Sequence, residues 1–131
     1  MRDYRKYEVW QKAHKLTLFV YGEVLPILPT SEKYDLSSQL KRATYSIALN
    51  IVEGAGRNSD ADFARFLDMA LGSCHETEYT VLLVEDLNYI SEELYRETDS
   101  KINEVKAMLI GLLKKIRKYS KKKICNRTAK K

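Results

Sequence analysis

Residues 37–89 read SSQLKRATYSIALNIVEGAGRNSDADFARFLDMALGSCHETEYTVLLVEDLNY, and the fold turns on them. In the first half, Leu40, Ala43, Ile47 and Ile51 follow Leu36 at intervals of three or four, the period of a helix with one apolar face. In the second half, Phe63, Phe66, Leu67, Ala70, Leu71, Cys74, Val81 and Leu82 repeat the pattern. Between them Gly54 and Gly56 are expected to end one helix, glycine being the usual residue past a helix terminus. Ser59 is expected to cap the next, with Asp60 and Asp62 at the positive end of its dipole. Asn50 extends the Leu36, Leu40, Ala43, Ile47 series by three and should point near the core. Glu53, Arg57 and Arg65 gather at the same corner, and Glu76 and Glu78 are the nearest acids for Arg42 and Arg65. Buried polar groups need partners. The expectation is therefore a satisfied polar network of Arg42, Asn50, Glu53, Arg57, Arg65, Glu76 and Glu78 that fixes register and assembly, the alternative being a ligand- or RNA-contacting pocket.

Outward from this hairpin, Val9, Ala13, Leu16, Val20 and Val24 predict a first helix from Tyr4 or Glu8 to Val24, stopped by Pro26 and Pro29. Asn88, Tyr89, Ile90 and Ser91 are expected to form a turn, with Ser91 as the N-cap of a fourth helix and Glu92 and Glu93 in its first turn. Thr98, Ile102, Val105, Leu109, Leu112, Ile116 and Tyr119 then keep a strict 4-3-4-3 spacing, a bundle seam. No segment alternates with period two, so the fold class is all-α, an antiparallel up-down four-helix bundle. Gly72 and Ser73 interrupt a good helix, and close helix or subunit approach is the reason to keep small side chains there. A chain of 131 residues is one domain by length. The division is a bundle over 1–119 and a basic tail over 120–131, expected to fray beyond Ser120. No apolar run approaches the ~20 residues of a membrane helix, and the N-terminus lacks a signal peptide's apolar core. Two cysteines 51 residues apart form no metal or redox spacing, so a reducing cytoplasm is the default compartment.

The net charge of +5 hides a segregation. Lys114, Lys115, Arg117, Lys118, Lys121, Lys122, Lys123, Arg127, Lys130 and Lys131 put +10 in the last eighteen residues, and the rest of the chain carries −5. Such a segment releases counterions from phosphate and gains affinity without reading sequence. Tyr119 is placed to stack on an unpaired base. The alternatives are a solvated tail, an acidic protein partner or a membrane surface.

Catalytic constellations are absent. A di-iron bundle needs Glu three residues before His, but Gln11 precedes His14 and Gly72 precedes His75 at that spacing. The residue four after His75 is Tyr79, not a second zinc-binding His, and GAGR at 54–57 lacks the Lys of a phosphate loop. Cys74 lies on an apolar stripe, and Cys125 sits among cations with no His or acid beside it. The expectation is a non-enzymatic chain with no metal and no cofactor.

From DYRKYEVWQKAHKL at 3–16 to LNYIS at 87–91, the chain resembles the four-helix-bundle proteins encoded in 23S ribosomal-RNA intervening sequences, relatives of the Avd accessory proteins of diversity-generating retroelements. The resemblance is carried by Asn50, Glu53, Gly54, Arg57, Phe63, Arg65, Phe66, Leu67, Gly72, Ser73 and Glu76. It departs at Ala48 and Leu49, where relatives often carry Pro-Ser, so a straighter second helix is expected. The resemblance implies a homopentameric ring. For an Avd-type member it also implies a reverse transcriptase and its structured template RNA as partners; for an intervening-sequence member the role stays open.

Overall fold

The computed structural model describes residues 2–129, with side-chain surroundings through Asn126. After a short tight turn at Tyr4–Lys6 come α1 (Glu8–Phe19), α2 (Leu36–Ala55), α3 (Asp60–Asp86) and α4 (Glu92–Ala129). No strand occurs among the described residues. α1 passes into a wider π turn at Val20–Val24 and a tight turn at Leu25–Ile27 that contains Pro26. The helical run thus ends at the prolines, as its sequence predicts.

Each helix packs on its two sequence neighbours, and α1 and α4 close the square. Cross-helix partners run in opposite directions along each pair. Gln39 of α2 meets Glu76 of α3 while Gly54 meets Phe63. Glu78 of α3 meets Lys106 of α4 while Asp68 meets Arg117. Lys12 of α1 meets Glu104 while Phe19 meets Lys101. The bundle is therefore antiparallel and up-down.

The core is the predicted stripes: Val9, Ala13 and Leu16 from α1; Leu40, Ile47 and Ile51 from α2; Phe63, Leu67, Ala70 and Cys74 from α3; Ile102, Val105 and Leu109 from α4. Ser59 caps α3 by accepting from the Asp62 amide at 3.1 Å, and Ser91 caps α4 by accepting from the Leu94 amide at 3.1 Å. α3 closes with Asn88 at φ 61°, the Asn88 amide on the Glu85 carbonyl and the Tyr89 amide on the Val84 carbonyl. That is a Schellman closure, which satisfies the orphan carbonyls of the last turn.

Three expectations are corrected. Gly54 does not end α2; it lies inside the helix, buried beneath Phe63 and Phe66, and the helix runs on to Ala55. The α4 seam leaves its heptad register after Leu109. Leu113 is buried where Leu112 is only half-buried, and Tyr119 is 60% exposed. A straight helix of 3.6 residues per turn drifts ~20° per heptad, so the buried line moves one residue later. Finally, α4 does not stop near Ser120 but is helical to Ala129. Nothing after Gly111 breaks it: Lys, Arg, Leu and Ile follow with no proline.

Candidate nucleic-acid interface

α4 has 38 residues and spans about 57 Å at 1.5 Å per residue, the longest element of the fold. Its first two-thirds lie against α1 and α3. Tyr7, Glu8 and Val9 at the start of α1 flank Met108, Gly111, Leu112 and Lys115. Beyond Lys115 the helix has passed α1. There it faces the first turns of α3 across an open groove of about 710 Å³, floored by Ala61, Ala64, Ile116 and Ile124.

Buried Leu113 and half-buried Ile116 and Ser120 mark the inward line and fix which residues point outward. Helical spacing sets Lys114, Lys118, Lys121 and Lys122 on the opposite face, with Lys115 at its flank. All five are exposed, as are Arg117 and Lys123. Among the described residues none of these six lysines has a carboxylate within ion-pair distance. The side chain of Arg127, and Lys130 and Lys131 altogether, lie outside the described residues.

Three aspartates of α3 near the basic stretch are occupied by arginines. Asp68 holds Arg117, Asp62 holds Arg65 at 3.3 Å, and Asp60 holds Arg2 at 2.5 Å. Arg2 was not singled out by sequence reasoning, and its partners lie 55 and 58 residues away. It donates to the Arg57 carbonyl at 2.8 Å, lies 4.6 Å over the Phe63 ring, and its amide donates to the Ala55 carbonyl at 3.2 Å. The N-terminal segment is thereby pinned across the α2–α3 corner, at the same end of the bundle as the basic stretch of α4. Arg5 and Lys6, both exposed, join that end. The positive end therefore comprises more than the tail read from the sequence.

The expected polar network does not form inside the chain. Arg42, Glu53, Arg57, Arg65 and Glu76 are exposed, and Asn50 is half-buried, its amide spent on the Ser46 carbonyl of its own helix at 2.8 Å. The pairings also differ: Arg65 meets Asp62, Glu76 accepts from Gln39, and Glu78 meets Lys106 at 2.6 Å. Arg57 and Arg65 each lie 4.7 Å over the Phe66 ring. The buried polar groups are instead Thr44, Thr77, Thr80 and Thr98. Each donates its hydroxyl to the carbonyl four residues back, at 2.6–2.8 Å. A hydroxyl satisfied within its own turn needs no cross-helix network. The predicted α4 seam includes Thr98, while an apolar-stripe reading passes over Thr44, Thr77 and Thr80, β-branched residues with the shape of Val. What Arg42, Ser46, Glu53 and Arg57 do share with Arg65, Met69 and Glu76 is one outward seam between α2 and α3, at intervals of four and seven.

Cys74 is fully buried, and that burial pushes its thiol up to about 12. At neutral pH it is a protonated apolar group. Cys125 is exposed. The His14 ring stacks on Trp10 at 5.1 Å. Among the described residues no three His, Cys, Asp or Glu side chains group to hold a metal ion, and no helix is long and apolar enough to cross a membrane.

No curated protein matches the chain. Among solved structures, the chain is similar to a protein of unknown function of the S23 ribosomal protein family from Bacteroides thetaiotaomicron, with 30% identity and a TM-score of 0.75. The likeness covers 81% of this chain and 95% of that one. The family model for the 23S rRNA-intervening sequence protein matches residues 5–111. The matched span holds the four-helix body and the α2–α3 seam, and it stops before Lys114. The chain belongs to the 23S rRNA-intervening sequence protein family.

Proposed function

We propose that this chain is a non-enzymatic scaffold that binds nucleic acid through the basic end of α4 and works as a homo-oligomer. One observation carries the reading. Among the described residues, six lysines between Lys114 and Lys123 stand exposed and without a carboxylate within ion-pair distance, while Asp60, Asp62 and Asp68 are held by Arg2, Arg65 and Arg117. An unneutralised row of this kind attracts a polyanion and releases its counterions. RNA is the polyanion this reading favours, and an Avd-type role would make it a template RNA with a reverse transcriptase as further partner.

Assembly is supported by Gly72. A Cβ there meets nothing within 4 Å, so the chain itself has no need of glycine at this position. It sits on the outer face of α3 near Met69 and Tyr79, which are 47% and 63% exposed. We read that face as the contact with the next subunit, in a pentamer if the resemblance extends to assembly. Light scattering that finds only a 15.2 kDa species at micromolar concentration would refute the assembly.

The test of binding compares RNA affinity at several salt concentrations for the full chain and a chain cut after Ser120. The cut removes Lys121, Lys122, Lys123, Arg127, Lys130 and Lys131 and leaves every core residue in place. The log–log salt slope should become shallower by up to about 4, at ~0.7 for each single-strand phosphate that is no longer neutralised. Equal affinities and equal slopes would mean that the basic end does not hold the RNA. Binding that RNA fails to displace from an acidic protein would favour a protein-interaction module.

A further inference from the structure

Resting on that reading, we infer that the segment of α4 from Lys114 to Asn126 is a groove-binding helix, and that its preferred ligand is B-form duplex DNA. The observation behind it is the continuity of the helix. A frayed tail would bind any polyanion, because a flexible chain of cations adapts to single strands and duplexes alike. Here the cations ride on an unbroken helix to Ala129.

The surroundings of that helix permit insertion. It is backed on one side by the first turns of α3, and its flank beyond Lys115 has left α1 behind. Every side chain from Lys121 to Asn126 is exposed. Lys121, Lys122 and Lys123 are consecutive, so at ~100° per residue they spread over about 200° of the circumference and address both walls of a groove. Lys114, Lys118 and Lys121 run down the outer face over about 10 Å at 1.5 Å per residue.

A helix with its side chains is ~10–12 Å across, and the major groove of B-DNA is ~12 Å wide, so the two fit. The major groove of A-form RNA is deep and narrow, and side chains cannot enter it. The cations of this helix can reach only one side of an A-form duplex at a time. The segment lies outside the residues that match the family, so this property is one the chain holds apart from the fold it shares.

The experiment measures anisotropy of the full chain with a labelled DNA duplex of about 20 base pairs, the RNA duplex of the same sequence, and each single strand. Cys125→Pro is the test variant. It keeps every cation and every core side chain but removes the amide that closes the turn at Lys121, and proline clashes with that turn. Cys125→Ala is the control, with the helix intact. The full chain and Cys125→Ala should bind the DNA duplex about tenfold more tightly than the RNA duplex, a difference of ~1.4 kcal/mol. In Cys125→Pro that preference should fall to about twofold or less, while single-strand affinity changes by no more than that factor. Equal binding of both duplexes by the full chain, or a preference that survives Cys125→Pro, overturns the groove-binding helix and leaves the basic-end reading standing. No binding to any of the four probes at low salt overturns both.

Discussion

Gly54→Ala tests the α2–α3 corner most directly. Elsewhere in a helix the change is favourable, because alanine exceeds glycine in helix propensity by ~1 kcal/mol. At Gly54 the added methyl would lie 2.7 Å from the Phe66 Cβ, 3.0 Å from the Phe63 Cδ1 and 3.3 Å from the Phe63 carbonyl oxygen. Carbon atoms prefer ~3.5–4.0 Å, so the shortfall against Phe66 is about 1 Å. A Cβ is one bond from the backbone and cannot swing aside, so α2 and α3 must separate. Overpacking costs about 1–3 kcal/mol. A shortfall of this size at a Cβ that cannot swing aside belongs in the upper half, about 2–3 kcal/mol, so against the propensity gain the expected net loss is about 1–2 kcal/mol. For a chain of this size that lowers the melting temperature by about 3–12 °C. The assay is thermal unfolding followed by circular dichroism, with Gly111→Ala beside it. A Cβ at Gly111 meets nothing within 4 Å, so that variant should gain up to about 1 kcal/mol. If Gly54→Ala melts at or above the parent while Gly111→Ala is stabilised as expected, the close approach of the two helices is not what Gly54 provides.

Further outcomes follow from other parts of the bundle. Arg65→Ala should leave the stability of the single chain within about 0.5 kcal/mol, because Arg65 is exposed and its partner Asp62 is a surface acid; a loss above ~2 kcal/mol would place it in a network after all. Leu113→Ala should cost about 2–5 kcal/mol and Leu112→Ala clearly less, the order that the drifted α4 register demands and a strict heptad would reverse. In the native protein Cys125 should react with a thiol reagent and Cys74 should not until denaturant is added. The raised Cys74 value also sets an alkaline slope. The unfolded thiol ionises near its ordinary 9.0 and the folded one near about 12, so between these the unfolded state holds fewer protons and stability falls as pH rises. Urea midpoints near neutral pH and near about pH 10 should show a fall that is smaller in Cys74→Ala.

Most of the fold is legible in the sequence because it rests on local signals that tertiary contacts do not override. The apolar stripes, the Ser59 and Ser91 caps and the two prolines each act within a turn or two. Tertiary geometry decides the parts that differ. Whether Gly54 ends a helix or lies within one depends on how near Phe63 and Phe66 come, and no spacing in the sequence encodes that distance. The polar corner differs from expectation for a related reason. Asn50 follows the apolar series by three, but at ~100° per residue it falls at the edge of the stripe, where its amide satisfies itself on Ser46. Arg2 could not be assigned from sequence because its partners lie more than 50 residues away. The lysines of α4 are plain from charge alone, but their order is not: absence of proline and glycine after Gly111 is the available signal for a continuous helix.

The charge segregation gains a direction once the helices are in place. α3 ends in Glu85 and Asp86 and α4 begins with Glu92 and Glu93, so one end of the bundle is acidic. The N-terminal segment, the α2–α3 corner and the last third of α4 bring Arg2, Arg5, Lys6, Arg57 and the exposed lysines to the other. The −5 of the body is therefore not spread around the cations. Much of it stands at the far end of helices roughly 40 Å long, several Debye lengths away at physiological salt. Repulsion between the body and a polyanion is weak at the basic end and strong at the acidic one. On the proposed function, a nucleic acid would meet the molecule end-on at the α4 terminus, with the acidic corner directing it away from the α3–α4 turn. The proposed subunit contact, on the side of the bundle that carries Gly72, lies on a different face. Binding and assembly, as proposed, would then use different faces of one helical body, and neither would have to displace the other.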